Sequence, residues 1–194
     1  MTNAAGSYPI GLDVDPAAPQ SRLAVFFRLI FAIPNAIVFG IIGVVGAIVL
    51  VLSWLVILIT GKDPAGMSNF RAGVLRWDYR LYGYMFLLTD KYPPFSLGDD
   101  AAYPIRPSVQ AQLEGRNRLT VFFRYILAIP QLIIVQVLLY AAEVVVLISW
   151  FAALFTGSVP EGLHNFMSGV FRWHSRVIGY LLLLTDQYPP FSLS

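Results

Sequence analysis

Three observations predict an all-α integral membrane protein built as a tandem duplication. Residues 23–59 and 119–155 are two runs of 37 residues with almost nothing polar in them, where one helix needs roughly 20 to cross a hydrocarbon core of about 30 Å. Of the 194 residues, 57% are hydrophobic and 12% charged, and soluble domains carry roughly 25% charged residues. Shifted by 96, Arg22–Leu97 falls on Arg118–Leu193 without a gap, with 38 of 76 positions identical. The chain is one unit written twice.

Composition also narrows the function. A net charge of +2 is too small to suggest a nucleic-acid partner. With no cysteine, the chain has no disulfide, thiolate metal site or thiol nucleophile. The first 22 residues hold two Asp, three Pro and no apolar stretch, so they do not read as a secretory signal.

In chain order, residues 1–7 are a tail, 8–97 the first repeat, 98–102 a linker and 103–193 the second repeat. Each repeat opens on a strand-like segment. Tyr8, Ile10, Leu12 and Val14 alternate with Pro, Gly and Asp, the period of a half-buried strand; in the second copy Pro107 weakens the same pattern. Each repeat closes on Tyr-Pro-Pro-Phe-Ser-Leu, at 92–97 and 188–193, extended because proline disfavours helix at the residue before it. Opening and closing segments are expected to meet as a small extended or β cap outside the membrane.

The 37-residue runs are expected to fold as transmembrane hairpins, Leu23 to about Gly40 and about Gly43 to Ile59 in the first copy, giving four spans in all. Two arguments favour this. Similar copies should see similar surroundings, which an even number of crossings per repeat provides. No Lys or Arg occurs between Leu29 and Gly61 or between Tyr125 and Phe171, so hairpins leave every basic residue on one face, cytoplasmic by the positive-inside rule. Both termini would then be cytoplasmic. A re-entrant wedge in one leaflet satisfies both arguments and is the first alternative. Pairing Ala36–Ile59 with the following segment is the second. Pro34 and Pro130 should kink the first helix of each run, and Gly61 and Gly157 should cap its end.

Beyond each run lies a third segment, 69–89 and 165–185, expected to be an amphipathic interfacial helix. Asn69, Gly73, Arg76, Arg80 and Gly83 share one helical face, and it recurs as Asn165, Gly169, Arg172, Arg176 and Gly179 while many neighbours differ. Guanidinium groups beside glycine suit a groove for anionic lipid headgroups or a partner's carboxylates. The plainer reading pairs the arginines with Asp90 and Asp186 and uses glycine for close helix packing.

Arg28 and Arg124, just inside the runs, are expected to be basic anchors that snorkel to the interface. Glu143, opposite Ala47 in the first copy, is the only acid inside a run and hence a candidate ion or proton site. His164 and His174 replace Ser68 and Asp78, and Ser53 and Ser149 have no base within helical reach, so neither metal, haem nor hydrolytic chemistry is indicated. No cofactor is expected.

The RLxVFFR and AIP opening, the TG loop, the RWxxR stripe and the LLTDxYPPFSL ending resemble a bacterial, mostly actinobacterial, membrane-protein family catalogued as a domain of unknown function and commonly arranged in tandem. That resemblance implies the cytoplasmic membrane and lends no activity. The expected function is therefore a non-enzymatic accessory or assembly subunit of a larger membrane complex, or a homo-oligomer, docking through the Arg/Gly helices. The alternative is a small transporter or lipid-handling protein with its site between the repeats.

Overall fold

The computed structural model describes residues 8–194, so the expected tail 1–7 lies outside the described residues. The chain runs β1 (Ile10–Val14), α1 (Arg22–Thr60), α2 (Ala65–Met85), β2 (Ile105–Val109), α3 (Arg118–Phe122), α4 (Arg124–Thr156) and α5 (Glu161–Leu181). It is mostly helical and duplicated, with two short strands.

The hairpins are absent. The first apolar run is one helix of 39 residues, and Gly40 and Gly43 lie inside it. The second is the 33-residue α4, preceded by the single turn of α3. A turn at 39–43 would orphan about four carbonyls and four N–H groups among apolar side chains. Two glycines within a helix cost only about 1 kcal/mol each relative to alanine. The helix wins, and two helices, not four, have the length and hydropathy of a membrane span. Each also runs on through its proline, Pro34 or Pro130. Where the sequence predicts glycine caps, Gly61 and Gly157 stand at φ 72° and 81°, with their N–H groups bonded to Ile57 and Ala153.

Helix α1 is built inside out. Its buried stripe is Val25, Arg28, Ala32, Asn35, Gly46, Ser53 and Ile57, small or polar residues between Val25 and Ile57 on one narrow line, while Leu23, Ile30, Ile37, Val44, Val51 and Ile59 all stand exposed. Helix α4 repeats the arrangement with Arg124, Ala128, Gln131, Ala142 and Ser149 inside. Small and polar residues at the helix contact with apolar ones outward is how helices pack when hydrocarbon surrounds them.

Helices α2 and α5 begin after Pro64 and Pro160, four residues ahead of the expected start, and α2 is buried on most sides. Each packs along the long helix of its own repeat, and α2 and α5 pack on each other. The two strands pair with one another, antiparallel, with Leu12 opposite Pro107. This corrects the expectation of a β cap between opening and closing segments, which among the described residues meet only across the repeats, Tyr8 Oη donating to Gln187 O and Tyr103 Oη to Lys91 O, each at 3.0 Å. In a two-stranded ribbon the missing N–H of Pro107 faces an edge, so it does no harm.

The strands also close the molecule end to end. β2 packs on α2, and β1, at the start of the chain, packs on α5 near its finish. Ile105 sits over Gly83 and Ile10 over Gly179, so near that a Cβ on either glycine would overlap the isoleucine. The pseudo-twofold axis therefore passes through the ribbon at Leu12 and Pro107.

The long helices are antiparallel. Trp150 at the end of α4 donates its indole N–H to the Val25 carbonyl at 3.0 Å, near the start of α1, and Trp54 donates to the Val121 carbonyl at 3.2 Å. Gln20 N–H bonds Gly157 O at 2.8 Å, and Arg116 N–H bonds Gly61 O at 3.2 Å. Each long helix thus starts where the other stops. The result is two layers, α1 and α4 with their apolar flanks outward, and α2, α5 and the ribbon behind.

Candidate functional site

The Arg/Gly stripe is largely filled by the chain itself. A Cβ on Gly73 would lie 2.8 Å from Leu97 Cβ and 2.9 Å from its carbonyl oxygen, and one on Gly169 would lie 3.1 Å from Leu193 O. The close approach that glycine permits is used by the repeat's own closing segment. Arg80 donates to Gly98 O at 2.8 Å and Ser96 O at 3.4 Å; Arg176 donates to Ser192 O at 2.9 Å and Ser194 O at 2.5 Å. Burial lowers the pKa of both guanidiniums. The continuous anion groove expected from sequence is corrected to a seat for Tyr-Pro-Pro-Phe-Ser-Leu.

Four members of that stripe still reach the surface. Arg76 is half-buried and pairs with the exposed Asp99 at 2.6 Å, beside a hollow of about 350 Å³ that Arg80, Asp100, Arg106 and Asp13 also line. Arg172 is half-buried and donates to Leu12 O at 3.3 Å. Asn69 and Asn165 are exposed.

Arg28 and Arg124 do not snorkel. Both are buried. Arg28 donates to Tyr84 O at 2.5 Å, Thr89 O at 2.7 Å and Gln20 Oε1 at 2.7 Å, and pairs with Asp90 at 3.0 Å. Arg124 donates to Tyr180 O at 2.7 Å and Thr185 O at 2.6 Å, and pairs with Asp186. Each guanidinium lies over its tyrosine ring, 4.6 Å from Tyr84 and 4.3 Å from Tyr180. The carbonyls left free where α2 and α5 end need donors, and an arginine near the start of the neighbouring long helix supplies them. The aspartate of each LLTD motif also accepts from the backbone N–H of Ser21 or Asn117, fixing where the long helix begins.

Two buried constellations escape sequence reading. The Trp77 indole donates to Asn35 Oδ1 at 2.7 Å, and Asn35 donates to Pro93 O at 2.9 Å; Trp173, Gln131 and Pro189 repeat the chain at 2.7 and 2.6 Å. The signal was present, an amide after the same proline in both copies. The second constellation exists once. Asp63 is buried between Arg71, whose Nη2 reaches both carboxylate oxygens at 2.5 Å, and Arg116 at 3.5 Å, and Arg116 continues to Asp186 at 2.7 Å. At the equivalent places the other copy has Val159, Met167 and Gln20, all buried.

Burial alone would raise the Asp186 carboxyl, but Arg116, the Asn117 N–H and Arg124 outweigh it and hold the pKa below the ordinary range. Where α2 crosses α5, Tyr79 Oη and His174 Nδ1 lie 2.7 Å apart. Burial pushes His174 down to about 4 and Asp78, its counterpart, up to about 7. His164 approaches Leu88 O at 3.3 Å and is lowered by burial. Among the described residues no group of three or more His, Asp or Glu is placed to hold a metal.

Glu143 lines an open apolar cavity of about 650 Å³ between the repeats, walled by α1 and α4 and floored by the end of α2. It is exposed on α4.

A family model described as a domain of unknown function, DUF4389, matches residues 22–96 and again 118–192. The chain belongs to the DUF4389 family, carrying its domain twice. Each match begins at the first residue of a long-helix segment and ends in the Tyr-Pro-Pro-Phe-Ser sequence, so the DUF4389 unit comprises the long helix, the shorter one packed on it and the closing segment. The strands β1 and β2 lie outside both matches. No curated protein matches the chain, and no solved structure does.

Proposed function

We propose that this protein is a non-enzymatic, membrane-seated subunit. Helices α1 and α4 lie along the bilayer within one leaflet, and the polar layer behind them docks a partner in a larger bacterial membrane complex. The observation that carries the reading is the apolar flank of α1, exposed from Leu23 to Ile59, on a helix whose start and end meet the end and start of its antiparallel copy.

Length supports lying over crossing. At 1.5 Å per residue, 39 residues extend about 58 Å, against about 40–45 Å for a bilayer with its headgroups. Symmetry supports it too. Were the antiparallel helices to cross, the copies would stand upside down, and Arg22 and Arg118 would lie at opposite membrane faces. The ribbon, on the same pseudo-twofold axis, would be held at mid-membrane depth with Asp13 and Arg106 at its surface, at a cost of several kcal/mol per unsatisfied polar group. Lying flat, both copies keep one depth and the basic residues border one leaflet, cytoplasmic by the positive-inside rule. The wedge considered from sequence is the nearest relative of this arrangement.

With α1 and α4 in lipid, the surface left for a protein partner is the layer carrying Arg76, Arg172, Asn69 and Asn165. Purification in mild detergent with Arg76→Glu and Arg172→Glu tests the docking reading. Wild type is expected to keep a stoichiometric membrane partner that the charge-reversed chain loses. Equal retention by both overturns it. The cavity between the repeats favours a second reading, lipid handling, in which the purified protein is a lone oligomer carrying bound lipid.

A further inference from the structure

We propose that the cavity between the repeats binds a lipophilic organic cation, held by the Glu143 carboxylate among aromatic walls. Glu143 is the only acid in either long apolar helix. Among the described residues it makes no hydrogen bond and no ion pair. It stands on the wall of a cavity of about 650 Å³ lined by Phe26, Tyr82, Phe86 and Trp150, a volume within the range of small-molecule sites, about 300–1,000 Å³.

The other charge at this cavity is Arg28, whose guanidinium is committed to Asp90, Gln20 and two carbonyls and so is neutralised within the protein. The carboxylate is left as the uncompensated charge. Aromatic rings present negative faces and attract weakly hydrated cations, and an apolar wall cannot solvate a small inorganic ion. Carboxylate, rings and apolar lining agree on one ligand chemistry, a bulky cation whose charge is wrapped in hydrocarbon.

The symmetry-related cavity supplies a comparison. At the symmetric position Ala47 replaces Glu143, and the cavity beside Trp54, Phe122 and Tyr125 is about 280 Å³. One ligand per chain is therefore expected, not two. The inference holds whether the long helices lie along a bilayer or cross it, because both walls and the floor belong to this chain.

Equilibrium dialysis of tetraphenylphosphonium against the full chain in uncharged detergent, with empty micelles as the blank, tests it. Saturable binding of one cation per chain is expected, weakened at least tenfold in Glu143→Gln and unchanged in Glu161→Gln, an exposed acid at the start of α5. Tetraphenylborate, the same shape with opposite charge, should not saturate. Equal cation binding by Glu143→Gln, equal binding of the borate, or no saturable binding by wild type overturns the proposal.

Discussion

The Trp77 indole N–H donates to Asn35 Oδ1 at 2.7 Å, and Trp173 meets Gln131 at the same distance in the second repeat. Each amide then bonds a proline carbonyl of its closing segment, Pro93 or Pro189. One side chain thus ties three pieces of a repeat together inside an otherwise apolar contact. Asn35→Leu would leave the Trp77 N–H and Pro93 carbonyl buried and unpaired, a loss of roughly 2–4 kcal/mol. Thermal unfolding in micelles should show it, with Asn35→Gln, the residue of the other copy, closer to wild type.

The Asp63–Arg71 pair should be replaceable as a unit. Asp63→Val strands the buried Arg71 guanidinium, and Arg71→Met leaves the buried Asp63 only Arg116, at 3.5 Å; each should cost roughly 3–5 kcal/mol. The double change installs the residues found at Val159 and Met167, which are buried at equivalent places, and it leaves Arg116 with Asp186. Its cost should fall well below the sum of the singles, a coupling of at least about 2 kcal/mol in a double-mutant cycle.

Glycine positions should separate by what covers them. Nothing lies within 4 Å of a Cβ built on Gly43, whereas on Gly73 it meets the backbone of Leu97. Gly43→Ala, in the interior of a continuous helix, should stabilise by about 0.5–1 kcal/mol. Gly73→Ala should destabilise by roughly 2 kcal/mol and loosen the closing segment. Circular dichroism melts would check both, and a destabilising Gly43→Ala would speak for a turn at that point.

Opposite pH slopes should come from Asp78 and His174. The folded pKa of Asp78 is raised to about 7, so the folded state holds its proton longer than the unfolded chain, and this contribution falls as pH rises from about 4 to 7. His174 is lowered to about 4. The unfolded chain then binds the extra proton, and this contribution falls as pH drops from about 6.5 to 4. The two oppose each other over most of that window. Asp78→Asn should therefore gain stability over wild type as pH rises, reaching roughly 2 kcal/mol above pH 7 after allowance for solvent at a half-buried site. A constant difference from pH 4 to 8 would contradict this.

Periodicity and repetition made the helical class, the duplication and the Gly61 and Gly157 caps legible in the sequence. The continuity of α1 was not, because counting apolar residues against bilayer thickness divides a run of 37 into two spans; a turn at 39–43 with no polar residue lacked a reason to form. The Arg/Gly stripe was legible as a fixed face, but its partner was the closing segment of the same repeat, a contact between elements that local pattern cannot express. Arg28 and Arg124 read as surface anchors because arginine near the end of an apolar run usually is one. Their true partners, carbonyls at the ends of α2 and α5, are 56 residues away in the chain. The ion cluster around Asp63 breaks the repeat, so comparing the two copies gave no clue that it had been gained or lost as a set.

The proposed seating of α1 along the bilayer can be tested by immersion depth, since the chain has no native cysteine to interfere with single labels. Spin labels at Leu23, Val44 and Ile59, all on its exposed flank, would be compared for access to oxygen and to a water-soluble nickel chelate in bilayers. Equal immersion of all three is expected of a helix lying in one leaflet. A deep label at Val44 with Leu23 and Ile59 both open to the chelate, on opposite sides of the bilayer, would mean that the helix crosses and that the proposed arrangement is wrong.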